Sequence, residues 1–134
     1  MKKQFIFGCS FFLFGCTTPP IIGYLTELQN ACNYPVQVTV AKYTHPLLLE
    51  QKLESGDRAL VLQIICADER SFLFSGLKKL KKCFPKDYTI TINAGNKQHI
   101  LDDEDFLKAL EKTKITKHGG SIYHWVIKDP SLCP

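Results

Sequence analysis

No apolar run in this sequence is long enough to cross a bilayer. The longest, Phe5 to Phe14, has ten residues, about half of the ~20 a transmembrane helix needs. Charge of one sign is also scarce. The net charge is +4 over the whole chain, and from Cys16 onward 15 basic residues face 13 acidic ones, too even a balance to argue for nucleic acid. Close cysteine pairs are missing: among Cys32, Cys66, Cys83 and Cys133 the nearest two lie 17 positions apart, whereas zinc sites favour ligand pairs such as C-x-x-C. The four histidines His45, His99, His118 and His124 show no H-x-x-x-H spacing. "LDDEDF" (101–106) lacks the D-x-D-x-D-G order of a calcium loop and reads as a charged helix start. No internal repeat or low-complexity segment occurs.

What is present begins with an address. Met1-Lys2-Lys3 supplies a positive n-region, and Phe5–Phe14 has the length of a signal-peptide h-region. Thr17-Thr18-Pro19-Pro20 then ends the apolar run after Leu13-Phe14-Gly15-Cys16. Over its first 18 residues the sequence resembles bacterial lipoprotein precursors, whose lipobox is Leu, a small or aliphatic residue, Gly or Ala, then Cys. The resemblance implies cleavage before Cys16, a diacylglyceryl group on its thiol and acylation (palmitate) of its amino group. Each buried methylene adds ~0.8 kcal/mol, and two or more chains make anchoring stable. Thr17 in place of aspartate implies the outer membrane, facing the periplasm. The alternative is an ordinary secretory signal with a chance cysteine. Residues 1–15 are thus expected to be signal peptide, 16–31 the lipidated cysteine and a tether, and 32–134 one β-rich domain.

In an exported domain of this size the four remaining cysteines read as two disulfides, with free thiols or metal as the alternatives. The strand pattern supports a sandwich. "PVQVTVAKY" (35–43) alternates as a half-buried strand, "ALVLQIICA" (59–67) is apolar on both faces and reads as central, and "SFLF" (71–74) reads as its hairpin partner. "DYTITINA" (87–94) alternates with Tyr88, Ile90 and Ile92 inward, 98–101 is a short strand, and "SIYHWVIKD" (121–129) is the last. Asp102 is expected to N-cap a helix whose buried stripe is Phe106, Leu107 and Leu110, with Leu101 and Phe106 as a hydrophobic staple. The expected fold is a small antiparallel β-sandwich, immunoglobulin-like or similar, with one short helix. If the strand at 35–43 and the last strand are antiparallel neighbours, Cys32 meets Cys133, leaving Cys66 for Cys83 among three possible pairings. Each bridge would contribute ~3–5 kcal/mol on a chain-entropy estimate.

Candidate chemistry is sparse. "GLKKLKKCFPK" (76–86) carries Lys78, Lys79, Lys81, Lys82 and Lys86, with Leu77, Leu80 and Phe84 at helical spacing. It reads as a basic surface for anionic lipid or a partner, or as a solvated connection whose leucines pack on the core. "HGGS" (118–121) is similar to a lipase oxyanion loop, but no G-x-S-x-G elbow supplies a nucleophile, and a turn explains it. Tyr123 and Trp125 could stack on a sugar, and alternate aromatics on a strand also serve a core. The expected function is a non-enzymatic outer-membrane lipoprotein, a binding or assembly module for an envelope protein complex, with no cofactor, metal or nucleic acid. The alternative is an inhibitor of a lysozyme-like or other hydrolase, and a lesser one is a hydrolase.

Overall fold

The computed structural model describes residues 21–42, 45–67, 77–118 and 122–134. The strands in chain order are β1 (Ile21–Gln29), β2 (Val36–Lys42), β3 (His45–Leu53), β4 (Arg58–Ala67), β5 (Thr89–Ala94), β6 (Lys97–Leu101), β7 (Ile115–His118) and β8 (Ile122–Ile127). Two helices, α1 (Leu77–Cys83) and α2 (Asp103–Glu111), interrupt them. Sheet A has the order β4-β1-β8-β7 and sheet B the order β3-β2-β5-β6. The fold is a small β-sandwich, with every strand pair antiparallel except β1–β8, which is parallel.

Period-2 alternation builds the core. Val36, Val38 and Val40 of β2 and Ile90 and Ile92 of β5 are buried from sheet B. Tyr24, Leu28, Tyr123, Trp125 and Ile127 meet them from sheet A. The Tyr24 ring packs against both Tyr123 and Trp125, with centroids 5.4 and 5.9 Å away, and those two rings lie 6.4 Å apart, a cluster that adds to simple burial. At one edge, Phe84, Tyr88 and Phe106 form a second aromatic cluster, closed by Leu80 of α1 and Leu110 of α2. Asp102 caps α2 through its side chain, which accepts from the Asp105 N–H at 2.8 Å, and the staple residues Leu101 and Phe106 are both buried.

Three expectations need correction. Residues 21–29 are not tether: they form β1, an interior strand of sheet A whose Ile22, Tyr24, Thr26 and Leu28 are buried. The domain therefore starts at least as early as Ile21. Second, β4 is an edge strand, and its second apolar face, Leu60 and Ile65, is exposed. Third, the strand at Val36–Lys42 and the last strand lie in different sheets, so they cannot be what brings the cysteines together. Cys32 nevertheless bonds Cys133, with Cα atoms 5.7 Å apart, for a different reason. Because β1 and β8 run parallel, the segments that follow them leave sheet A at the same end. Cys66 bonds Cys83 across 6.1 Å, tying the end of β4 to the end of α1. The hairpin expected from 71–74 lies outside the described residues.

A buried asparagine fixes the exit of β1. Asn30 Nδ2 donates to the carbonyls of Tyr34 (2.9 Å) and Leu53 (3.1 Å), and its Oδ1 accepts from the Cys32 N–H (2.9 Å). Its backbone pairs with Asp57 and Gly56 of the β3–β4 turn, where Gly56 adopts φ +87°, a conformation that favours glycine. A register shift between Thr26 and Glu27 leaves Val61 unpaired on β4, and the Tyr88 hydroxyl donates to the Val61 carbonyl.

Candidate functional site: the outer face of sheet A

The strands of sheet A set their outward side chains in rows. Nearest Ile21, the row is Ile65 on β4, Gly23 on β1, Ile122 on β8 and His118 on β7. The next is Gln63, Leu25, His124 and Thr116. Beyond these come Leu60, Glu27 and Val126, about 13 Å along β1 from Gly23 at ~3.3 Å per residue.

The first row is apolar and open. Ile65 is 66% exposed and Ile122 40%. Gly23 has no side chain between them, so the two isoleucines flank a groove of about 390 Å³ lined also by Leu25, Gln63 and Ile64. A Cβ on residue 23 would lie 3.8 Å from Ile122 Cγ1, in contact without clash. A side chain there would fill the groove rather than break the sheet.

An ionic cluster reaches across these rows. His124 Nε2 lies 2.9 Å from Glu27 Oε2, and Arg58 Nη1 approaches the same oxygen at 3.9 Å. The His118 and His124 rings are 5.7 Å apart between centroids. With Leu60 exposed beside them, these residues make a mixed patch in which a partly buried carboxylate is shared by an arginine and a histidine. Glu27 and His124 are 97 positions apart in sequence, so no local spacing could reveal the pair. Among the described residues no group of three or more His, Cys, Asp or Glu is arranged to hold a metal ion.

Of the residues singled out from sequence, Cys16 and Ser121 lie outside the described residues. Tyr123 and Trp125 are core. Lys78, Lys81, Lys82 and Lys86 are exposed; Lys79 lies in α1, its side chain outside the described ones. Lys81 Nζ pairs with Glu111 Oε1 at 2.5 Å, which holds the Glu111 carboxyl below its ordinary range and joins α1 to α2. Burial pushes the Tyr88 hydroxyl well above its ordinary range, and the Tyr24 hydroxyl is pushed up to about 12 by burial and then by Tyr123. The Tyr24 and Thr26 hydroxyls are buried without a hydrogen-bond partner.

No protein-family model, curated protein or solved structure matches the chain.

Proposed function

We propose that this protein is a non-enzymatic, lipid-anchored binding module of the outer membrane, facing the periplasm. Its cargo is an envelope protein that it holds against the ionic and apolar patch of sheet A. The observation that carries this reading is the ionic cluster: Glu27, Arg58 and His124 converge beside exposed Leu60 on a face no other element of the described chain covers. Charged groups that hold one another in place beside an apolar side chain suit a protein interface, where they set register and steer association. Anchoring rests on Cys16 and the leader before it. The inhibitor reading would send the α1 lysines into an enzyme cleft, and Lys81 is already engaged with Glu111.

Two measurements test the two halves. Labelled palmitate should enter the wild-type protein, and Cys16→Ser should lose both label and membrane retention; a retained Cys16→Ser protein overturns the anchor. A photo-crosslinker at residue 60 should give a discrete adduct in envelopes, reduced at least tenfold by Arg58→Glu. The same probe at Thr39, on the outer face of sheet B, should give none. Equal adducts from both positions would overturn the assignment of the interface.

A further inference from the structure

The apolar row calls for a separate occupant. Ile65, Gly23 and Ile122 lie at the end of sheet A where the chain leads back toward Cys16. Only five residue steps separate Cys16 from Ile21, a reach of at most about 18 Å when fully extended. A domain held that closely has little freedom to turn this end away from the surface that holds the anchor.

Exposed lysines lie at the same end of the sandwich, off the row itself. On β7, exposed His118 pairs with Ile122 and ends the row, while Lys117 pairs with Tyr123 and lies over its ring on the opposite face of sheet A. At the other edge of the sheet, α1 is tied to this end by the Cys66–Cys83 bridge. Cys66, next after Ile65, is buried on the inner side of β4, and α1 carries exposed Lys78 and Lys82 at this end. An apolar strip at an end that also carries lysines suits a bilayer surface, with acyl carbon below and anionic headgroups at its level.

We infer that the Ile65–Gly23–Ile122 row is a membrane-docking edge that rests on the anionic phospholipid surface and fixes the domain's tilt. This rests on the anchor reading, since the short reach from Cys16 is what brings the row to the bilayer. Docking there leaves Glu27, which Arg58 approaches, about 13 Å further along β1, beyond His124 of the second row and turned toward a partner.

The test uses the full lipidated protein, labelled at isoleucine methyls and reconstituted in nanodiscs of phosphatidylglycerol and phosphatidylethanolamine, with and without doxyl-labelled lipid. Ile100 is the internal control: it is 53% exposed and lies on the outer face of sheet B. The doxyl lipid should broaden the Ile65 and Ile122 signals at least threefold more than that of Ile100, and 0.5 M salt should weaken the difference. Equal broadening of all three overturns the docking edge while leaving the anchor intact. A protein that fails to co-migrate with the nanodiscs overturns the anchor itself, and docking with it. Shifts at Ile65 and Ile122 that grow with the number of copies per disc, without doxyl broadening, assign the row to a second copy and also overturn the inference. Ile65→Glu with Ile122→Glu should abolish the preferential broadening at the neighbouring Ile64 methyl, with co-migration unchanged.

Discussion

The outer faces of the two sheets have the same construction and different chemistry. On sheet B, Lys52, Gln37, Asn93 and Gln98 align across four strands, and Glu50, Thr39, Thr91 and Ile100 form the next row. Those two rows are what a half-solvated sheet ordinarily presents, polar and β-branched side chains with one isoleucine; Leu47, near the far end of edge strand β3, is the other exposed apolar side chain of the sheet among the described residues. Sheet A departs from this at its Ile21 end, where two exposed isoleucines flank a glycine, and returns to charge at Glu27 and Arg58, with His124 against the same carboxylate. The core gains nothing from this arrangement. A second apolar face on an edge strand adds to the risk of unwanted association. A face that carries such a risk with no packing benefit points to contact with something outside the chain.

The comparison depends on the sandwich keeping its two faces apart, so the largest expected effect comes from loosening the crossing between sheets. Cys32 lies between β1 and β2, where the chain passes from sheet A to sheet B, and its bridge spans 101 positions. Cys32→Ser with Cys133→Ser should cost roughly 4–5 kcal/mol on the chain-entropy estimate, against about 3 kcal/mol for Cys66→Ser with Cys83→Ser, whose span is 17. Urea unfolding without reductant measures both. A larger loss from the shorter bridge would mean that local packing of α1 on β4, rather than closure of the chain, dominates.

A smaller effect of opposite sign is expected on the inner side of β1. Thr26 is fully buried and its hydroxyl has no hydrogen-bond partner, which costs ~1–3 kcal/mol relative to a satisfied group. Thr26→Val keeps the shape and β-branching and removes the orphan. It should stabilise by about 1 kcal/mol, seen as a higher urea midpoint at unchanged m. Destabilisation by the same amount would show that the hydroxyl is satisfied in solution, and that β1 is as conventional on its inner side as β2.

The elements that could be read from the sequence are those whose alternation is clean. β2, β5 and β8 show it, as does α2 with its Asp102 cap and Leu101–Phe106 staple. β1 was hidden because its pattern is inverted in places: Thr26 points in while Leu25 points out, and Gly23 stands where a polar residue would mark the surface. Following Pro19-Pro20, such a stretch reads as tether. β4 is hard to place for a related reason, since a strand apolar on both faces reads as central, whereas here it is an edge strand with Leu60 and Ile65 exposed. The candidate site was invisible for a deeper reason. Glu27, Arg58 and His124 come from three strands, and only the pairing of β1 with both β4 and β8 brings them together. The bridge between Cys32 and Cys133 shows the converse case, in which the expected pairing is present through a parallel β1–β8 pair that no sequence pattern announces.

The smallest expected change in stability tests the comparison most directly. Ile65→Thr with Ile122→Thr, made in the Cys16→Ser chain so that no lipid interferes, would give the first row of sheet A the composition of sheet B. Threonine retains the β-branching that suits a strand, and both isoleucines are substantially exposed, so little packing is lost. Stability should change by no more than about 0.5 kcal/mol, the usual range for surface positions. Retention on a hydrophobic-interaction column should nevertheless fall clearly, whereas Ile100→Thr on sheet B should leave retention nearly unchanged. That difference arises because Ile65 and Ile122 sit either side of Gly23 and present one continuous patch, while Ile100 stands among Thr91, Thr39 and Glu50. A loss above about 1 kcal/mol would mean that the row is packed into the fold and is no free surface. Equal effects on retention from both sheets would erase the difference between the two faces.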